Sequence, residues 1–586
     1  MFNRYYQEEL AKLRQEAKRF SELHPALAPY LSGPTSDPDV ERLLEGVAFL
    51  TGLLRQKIDD EFPEIIHELV ELIWPHYLRP VPSSAIVAFR PKPMLKETMK
   101  VPRGTEVASI PIEGTSCRFR TCFDVLVHPL RVLDAGIAEH PERGREIHVD
   151  LELEGSDLGA WQPPGRLEFF LGRDLALGLD LYQVLARGVD FIRVEPLGQD
   201  AQAPKEKQGL VMPAKEALQV MGFDDDEALL PYPGVSFPGY RILQEYFIQP
   251  RKFLFCAVSG LDRWTDRPEG SRFRISFHLN DTLEAPSGIG RDQFILSASP
   301  CINIFSCQAE PIVVDHTQTR YRLRVSGGNP EHFMIYAVKG VTGFIQGTAQ
   351  ERNYAPFELF GTADDKQPVY NIIRRPAIVG SGIDVYITLS YPEGTRLVSR
   401  ETLSIDMLCT NGFLAEQLQV GDICRPTSQT PELVEFSNVT LPAPCALPPL
   451  GGDLLWRLVS HLNLNYATLA DARNLKALLR LYIFSETRNK KAVIANEKKI
   501  EGIEEVSFKP MDWLVKGIPM RGQEIVLKLR QDHFMNSGDL FLFASILDRF
   551  LGAYASINSF TMLNAVESFS GESIRWQPRT GQRPLI

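Results

Sequence analysis

The stretch Ser36–Pro93 places two helix signals directly before a strand signal, and this combination restricts the possible folds more than any other feature of the chain. Asp37 is a suitable N-cap, Pro38 fits the first helical position, and the acidic residues that follow favour the positive end of the helix dipole. The apolar residues recur at spacings of four, three, four and four and form one stripe; they are Leu43, Val47, Leu50, Leu54 and Ile58. The sequence therefore predicts an amphipathic helix that begins at Pro38.

A second helix is predicted immediately after the first. Asp59 and Asp60 are potential caps, and Pro63 would lie in the first turn. Pro75 ends this helix, because proline lacks the amide hydrogen and clashes with the preceding turn. The period then changes to that of a strand, and the residues that indicate it are Ile86, Val87 and Phe89. We therefore expect a helical hairpin joined to a β-rich body.

The first 22 residues predict a further helix with a nearly heptad apolar seam. Its members are Phe2, Tyr6, Leu10, Leu13, Ala17 and Phe20. Such a seam requires a partner surface. The partner is either the helical hairpin of the same chain or another subunit, and the sequence does not choose between them.

The composition is that of a globular protein, with 44% hydrophobic and 23% charged residues in 586. A chain of this length exceeds one hydrophobic core, so three or four domains are expected. The formal net charge of -11 argues against a nucleic-acid partner, because such partners select basic faces. Neither a signal peptide nor a stretch of about 20 apolar residues is found, so we expect a cytoplasmic location without membrane insertion. The eight cysteines lack paired-ligand spacing and predict reduced, mostly buried thiols.

The fold class predicted from these patterns is multidomain α+β. We expect an N-terminal helical segment, β-rich, sandwich-like lobes in the middle and a mixed α/β C-terminal domain. The predicted boundaries are 1–83, 84–270, 271–400 and 401–586. In the last domain, Asp453 caps one helix, and Gly538 to Leu563 supplies a final long one whose stripe is Leu540, Phe543, Leu547, Phe550 and Tyr554.

No motif predicts a catalytic, cofactor or metal site. His67 and the glutamate after it lack the second histidine of a zinc helix, so an ordinary histidine on an amphipathic helix is the simpler interpretation. Gly288 and Gly290 are too few glycines for a pyrophosphate loop. Cys117 and Cys122 lack further ligands for a structural zinc. We therefore predict that the chain is not an enzyme and binds no cofactor.

Five stretches match family signatures: EFPEIIHELVELIWPHYLRPVPS, GYR-x-LQEYF-x-x-P-x-KFLF from Gly239, INIF-x-x-x-AEPI-x-x-DHTQT-x-Y from Ile302, LCTN before Gly412, and DLLWRLVSHLNLNYATL from Asp453. These stretches resemble the TssF family, also called ImpG or VasA, a baseplate component of the type VI secretion system. The chain departs from the family at Gly412, where arginine is usual, and at Ala415, where proline is usual. A hairpin and strand with Pro102, Gly104, Phe119 and Thr121 also resemble J-like baseplate proteins of contractile phages.

The resemblance implies a structural subunit of the baseplate wedge, related to J-like contractile-phage wedge proteins. Two copies would assemble with one TssG, and the wedge would contact TssK, TssE, the VgrG spike and the tube and sheath proteins. It would lie at the cytoplasmic face of the inner membrane, attached through the baseplate. The alternative class is a cytoplasmic carbohydrate- or protein-binding β module or an uncharacterised enzyme.

For a wedge subunit, the apolar stripes are the candidate protein interfaces. The predicted interface residues are Phe2, Tyr6, Leu10, Leu13, Phe20, Leu43, Val47, Leu50, Leu54, Trp456, Leu540, Phe543, Leu547, Phe550 and Tyr554. Charging Leu10 and Leu13 would then prevent assembly while the monomer stays folded.

Overall fold

The computed structural model describes residues 2–24, 37–140, 144–155, 157–198, 209–232, 237–265, 267–280, 282–346, 351–357, 367–377, 382–392, 400–450, 469–484, 489–515 and 518–581. The chain divides into two compact units. Unit 1 is Met1–Leu78 with Leu450–Val459, and unit 2 is Arg79–Pro449 with Ser460–Ile586. This mixture of helices and sheets confirms the predicted α+β class.

The α-helices of the described residues are α1 (Phe2–Leu23), α2 (Pro38–Ile73), α3 (Leu175–Arg187), α4 (Ala214–Ala217), α5 (Pro238–Ile248), α6 (Ala472–Arg480), α7 (Lys490–Glu501) and α8 (Ser537–Gly552). No helix within these described ranges is long and apolar enough to cross a membrane. The predicted helix at Asp453 lies outside the described residues.

The strands, in chain order, are β1 (Ser84–Pro91), β2 (Met99–Val101), β3 (Glu106–Ile112), β4 (Thr115–Thr121), β5 (Val125–Val127), β6 (Leu130–His140), β7 (Gly144–Leu153), β8 (Arg166–Phe170), β9 (Val189–Pro196), β10 (Leu210–Pro213), β11 (Leu218–Val220), β12 (Phe255–Ser259), β13 (Arg272–Leu279), β14 (Ile295–Leu296), β15 (Ala298–Ile302), β16 (Phe305–Gln308), β17 (Ile312–Val314), β18 (Tyr321–Arg322), β19 (Met334–Ile345), β20 (Glu351–Pro356), β21 (Val369–Pro376), β22 (Ile383–Ser390), β23 (Glu401–Thr410), β24 (Val434–Asn438), β25 (Ile503–Val515), β26 (Ile518–Leu529), β27 (Phe560–Glu567), β28 (Ser573–Arg575) and β29 (Arg579–Thr580).

Helix α2 is continuous, and this corrects the prediction of two helices. It begins after Asp37, whose carboxylate accepts a hydrogen bond from the Asp39 amide, as the cap signal predicts. It then runs through Asp59, Asp60 and Pro63 without a break. Extending a formed helix costs less than starting a new one, so a local cap signal inside a long helix is overridden. The helix ends at Ile73, with Trp74 as its C-cap before Pro75, as predicted.

The sheets of unit 2 join strands that are far apart in sequence. One sheet has the order β24-β1-β15-β4-β3, another β10-β9-β13-β7-β6, and a third β11-β12-β8-β14. An eight-stranded sheet contains β16 to β23, and β25 to β29 form the C-terminal sheet. Because β13 pairs with β7 and β9, and β1 pairs with both β15 and β24, the predicted boundary at 270/271 separates strands that share sheets. The boundary at 400/401 likewise separates β23 from its neighbour β19.

Two family signatures meet in the core of unit 2. Asn303 accepts hydrogen bonds from the Thr410 hydroxyl, at 2.7 Å, and from the Asn411 amide, at 2.6 Å. Its side-chain amide donates to Asn411 Oδ1 at 2.9 Å and to the Arg118 carbonyl at 2.6 Å. Asn303 and Asn411 are both buried, so these bonds satisfy groups that water cannot reach. The next residue, Gly412, has a φ of +54°, a conformation that disfavours other residues.

The cysteines follow the prediction only in part. Cys307 and Cys409 form a disulfide, with 6.4 Å between their Cα atoms, so the prediction of reduced thiols is wrong for this pair. The other six remain thiols, and all but Cys424 are buried. Burial raises the pKa of Cys117 and Cys122 to about 12, which keeps them as neutral thiols.

His128 gives unit 2 a specific acid sensitivity. Burial lowers its pKa to about 4, and its Nδ1 lies 2.9 Å from the Thr98 hydroxyl. Because the folded-state pKa is below the unfolded value of about 6.5, this contribution to stability is fully present above pH ~6.5 and is lost as the pH falls from there to about 4. The expected loss is about 3 kcal/mol, measured by urea unfolding between pH 7 and pH 4. The His128→Asn variant should lose about 3 kcal/mol less over this range, and identical profiles would contradict the prediction.

Candidate protein-binding surface of the helical hairpin

Helices α1 and α2 pack against each other through small residues. Ala17 and Ser21 of α1 are buried, as are Ala48 and Gly52 of α2. A Cβ atom at Gly52 would lie 3.3 Å from the backbone nitrogen of Tyr6, so glycine permits this close approach of the two helices. This hairpin α1–α2 decides between the two partners predicted for the α1 seam: α1 packs on a helix of its own chain.

Ion pairs fix the register of the hairpin. Arg55 Nη1 lies 2.6 Å from Glu9 Oε1 and 3.4 Å from Glu8 Oε2. Near the other end, Arg14 Nη2 lies 2.7 Å from Glu41 Oε1. The hydrogen bond from Arg55 holds the pKa of Glu9 below its usual value. Because the early part of α1 meets the middle of α2 and the later part meets its start, the two helices are antiparallel.

The opposite side of α2 is apolar and exposed. Leu50 and Leu54 are each 62% exposed, and they follow Ala48 and Gly52 by two residues, which on a helix turns them away from α1. We call the following set the exposed apolar face: Leu43, Val47, Phe49, Leu50, Leu53 and Leu54. A contiguous apolar surface of this kind is characteristic of a protein–protein contact.

The other predicted α1 residues differ in how far they are exposed. Tyr6, Leu10 and Leu13 are half-buried, whereas Phe20 is 45% exposed. The side chain of Phe2 is outside the described residues, as is the whole of Trp456. Sequence reasoning did not identify Leu23, Phe49 and Leu53, although all three are exposed. The sequence signal that could have identified these three residues is that the apolar residues of each helix cover a wider arc than a single stripe.

The predicted C-terminal interface is wrong, because the α8 stripe is internal to unit 2. Its five residues are all buried: Leu540, Phe543, Leu547, Phe550 and Tyr554. Tyr554 shares a 2.9 Å hydrogen bond between hydroxyl groups with Tyr240, and Phe543 packs against the ring of Tyr246. A Cβ at Gly538 would lie 2.2 Å from the Leu179 carbonyl oxygen, so α8 also touches α3 directly. Helix α8 is therefore the central helix on which α3 and α5 pack. It also ends at Gly552, eleven residues before the predicted end.

The signature that begins at Gly239 forms a buried ionic cluster. Glu245 and Lys252 are both fully buried and joined by an ion pair, and Arg241 lies 3.7 Å from the same carboxylate. Glu245 also accepts hydrogen bonds from the amides of Leu229 and Leu230, at 2.8 and 3.0 Å. Burial lowers the pKa of Lys252, and the Glu245 carboxylate opposes this shift. Each charged side chain in the cluster has a partner of opposite charge. The cluster therefore stabilises the fold and offers no free charged group for catalysis.

The whole chain matches one family model. The model is described as "Type VI secretion system, TssF", and it covers residues 1–583. The chain belongs to the TssF family. The prediction made from the five sequence signatures is thereby confirmed.

Known TssF proteins are similar over their full length. The type VI secretion system component TssF1 of Pseudomonas aeruginosa is 30% identical over 645 aligned positions, which cover 99% of each chain. A chain in the cryo-electron microscopy structure of the TssK-TssF-TssG baseplate subcomplex is 28% identical, with a TM-score of 0.76 over 93% of this chain and 99% of that one. A chain of the type VI baseplate complex is 25% identical, with a TM-score of 0.61 over the full length of both.

Proposed function

We propose that this TssF-family chain is a structural subunit of the type VI secretion baseplate wedge that uses the exposed apolar face to assemble with its partners. The observation that carries the proposal is this face of α2, which the hairpin α1–α2 leaves exposed in a family of baseplate proteins. The activity is therefore assembly, and no bond of a substrate is made or broken. Its location is the cytoplasm, at the inner membrane through the baseplate.

Its partners are a second copy of the chain and one TssG; the similarity to the TssK-TssF-TssG baseplate subcomplex supports TssG and TssK as partners. The wedge also engages TssK, TssE, the VgrG spike and the tube and sheath proteins. When two identical chains bind one TssG, the same apolar face must contact different neighbouring surfaces in the two copies. Leucine and phenylalanine suit this role, because apolar packing is not directional.

The exposed apolar face can contribute several kcal/mol to the free energy of assembly. Its six side chains are between 42% and 68% exposed. Burying the remaining surface of each contributes about 1 kcal/mol, or about 6 kcal/mol together, before the cost of association. TssG and the second copy would add their own apolar surface, so the full contact would exceed this figure.

The test is co-expression with the TssG of the same gene cluster, followed by native mass spectrometry of the purified complex. We expect a stable complex of two copies of this chain with one TssG. A chain that purifies alone, with TssG absent from the eluate, would contradict the proposal. The β-module and enzyme alternatives would then be tested by ligand screening.

A further inference from the structure

One face of the sheet β10-β9-β13-β7-β6 carries an unusual density of polar groups. Strand β6 is at the edge, and its neighbour β7 presents Glu146, His148, Asp150 and Glu152 on alternate positions of one face. The opposite face is apolar and packs in the core, as the complete burial of Ile147, Val149 and Leu151 shows. The polar face is therefore the outer one, yet several of its groups are shielded from water.

Two aspartates face each other at the edge of this face. Asp134 of β6 is directly opposite Asp150 of β7. Asp150 is paired with Arg274 of β13, with 2.6 Å from Nε to Oδ1 and 2.9 Å from Nη2 to Oδ2. No lysine or arginine among the described residues forms an ion pair with Asp134. Like charges directly opposite on neighbouring strands repel, so this position favours a cation.

Two register positions along, on the same face of the sheet, lies His148. Its ring lies over Gly136 of β6, where an added Cβ would be 3.2 Å from Cε1, so the glycine makes room for the imidazole. The Nδ1 atom of His148 is buried and has no hydrogen-bond partner. Ser276 lies directly opposite on β13 and is fully buried, and its hydroxyl also has no hydrogen-bond partner. A buried polar group without a hydrogen bond destabilises the fold, and a ligand at this place would remove that cost.

We propose that Asp134, His148 and Asp150 bind one divalent transition-metal ion, for which Zn²⁺ is the model. One ligand atom from each residue lies within 4.8 Å of the others, so a small closure brings all three into contact with one ion. One imidazole nitrogen and two carboxylates form a ligand set of the kind that zinc accepts, whereas magnesium and calcium prefer oxygen alone. The fourth position remains open to water.

The ion would fasten the edge of the sheet. Strand β6 pairs with β7 through an irregularity between Val132 and Asp134, immediately beside the proposed ligands. A metal that bridges Asp134 to His148 and Asp150 would neutralise the facing carboxylates and link the edge strand to its neighbour. The function of the site is therefore structural, and it is independent of the proposed wedge assembly.

The test uses the full chain, tag-free and stripped with a chelator. Zn²⁺ is titrated by calorimetry in the presence of excess Mg²⁺, and thermal unfolding is followed with and without Zn²⁺. We expect one equivalent to bind and to raise the melting temperature. His148→Ala and Asp134→Asn should each weaken binding by at least about tenfold. The Asp134 variant cannot fail for lack of folding, because this side chain is exposed.

Matched variants at exposed residues that are not among the proposed ligands serve as controls. Asp262→Asn and His24→Ala remove the same groups from exposed positions and should bind Zn²⁺ like the unmodified chain. Failure to bind Zn²⁺, or binding that the Asp134 and His148 variants leave unchanged, would overturn the proposal. Binding that excess Mg²⁺ abolishes would also overturn it, because it would indicate a site of carboxylates alone.

Discussion

Charging the exposed apolar face is expected to abolish assembly with TssG while the chain itself stays folded. In the Leu50→Glu and Leu54→Glu double variant, both side chains are 62% exposed, so the change in the free energy of unfolding should be within about 0.5 kcal/mol per site. In the assembled wedge, the same carboxylates would be buried against apolar partners, which costs several kcal/mol. The expected loss of affinity is at least about 1,000-fold, measured as loss of co-purification and by titration of the purified proteins.

A matched control separates this effect from a general effect of added charge. The Leu441→Glu and Ile494→Glu double variant also charges two exposed apolar residues, but they belong to unit 2 and not to the hairpin α1–α2. It should assemble normally. Leu10 and Leu13, which the sequence suggested for this test, are a poorer choice, because they are half-buried and their replacement would disturb the hairpin itself. Normal co-purification of the Leu50 and Leu54 variant would exclude the exposed apolar face as the interface.

Neutralising Glu245 is expected to destabilise unit 2 by about 3–5 kcal/mol, the typical effect of leaving one partner of a buried ion pair uncompensated. Glu245→Gln keeps the shape of the side chain and an oxygen to accept from the Leu229 and Leu230 amides. It removes the charge that compensates Lys252, which is fully buried. The measurement is the urea midpoint followed by tryptophan fluorescence, compared with that of the unmodified chain.

A double variant tests whether the lost charge compensation is the cause. Glu245→Gln with Lys252→Met removes both charges, and Arg241 keeps its 2.8 Å ion pair with Asp225. Most of the stability should return. In the single variant, the folded-state pKa of Lys252 lies below its unfolded value, so the loss is complete at low pH and is recovered as the pH rises towards about 10.4. A single variant with unchanged stability at pH 7 would contradict this account.

The cluster also explains what the family signature around Gly239 does. Arg241, Glu245 and Lys252 are charged residues in a sequence rich in apolar ones, and such residues suggest a functional site when only the sequence is known. The structure shows them fully buried, or nearly so, where they fasten the 225–230 segment to α5. The signature therefore preserves a packing arrangement. The exposed apolar face, which we propose for assembly, consists of uncharged side chains alone.

Local sequence signals located most elements well. The cap at Asp37, the stop at Pro75, the strand at Ile86 and the helix within the Gly239 signature all appear where the residue pattern placed them. Each depends on hydrogen bonds or steric contacts within a few residues, and these are the same in any fold. The Asp59–Asp60 cap failed for a related reason: its effect is small, and the continuity of α2 outweighs it.

The sequence by itself determined the family, the α+β class and the presence of three long apolar stripes. Only the tertiary structure decided which stripe is a surface. The Leu540 stripe and the Leu50 stripe both follow the three-and-four spacing of an amphipathic helix, yet the first is buried under α3 and α5, whereas the second is left exposed because α1 packs on small residues at the opposite side of α2. Periodicity shows that a helix has an apolar side, but which element covers that side depends on contacts between residues far apart in the chain. For the same reason, the sheet pairings that cross the predicted domain boundaries, and the proximity of Asp134 to His148 and Asp150, became apparent only in the folded chain.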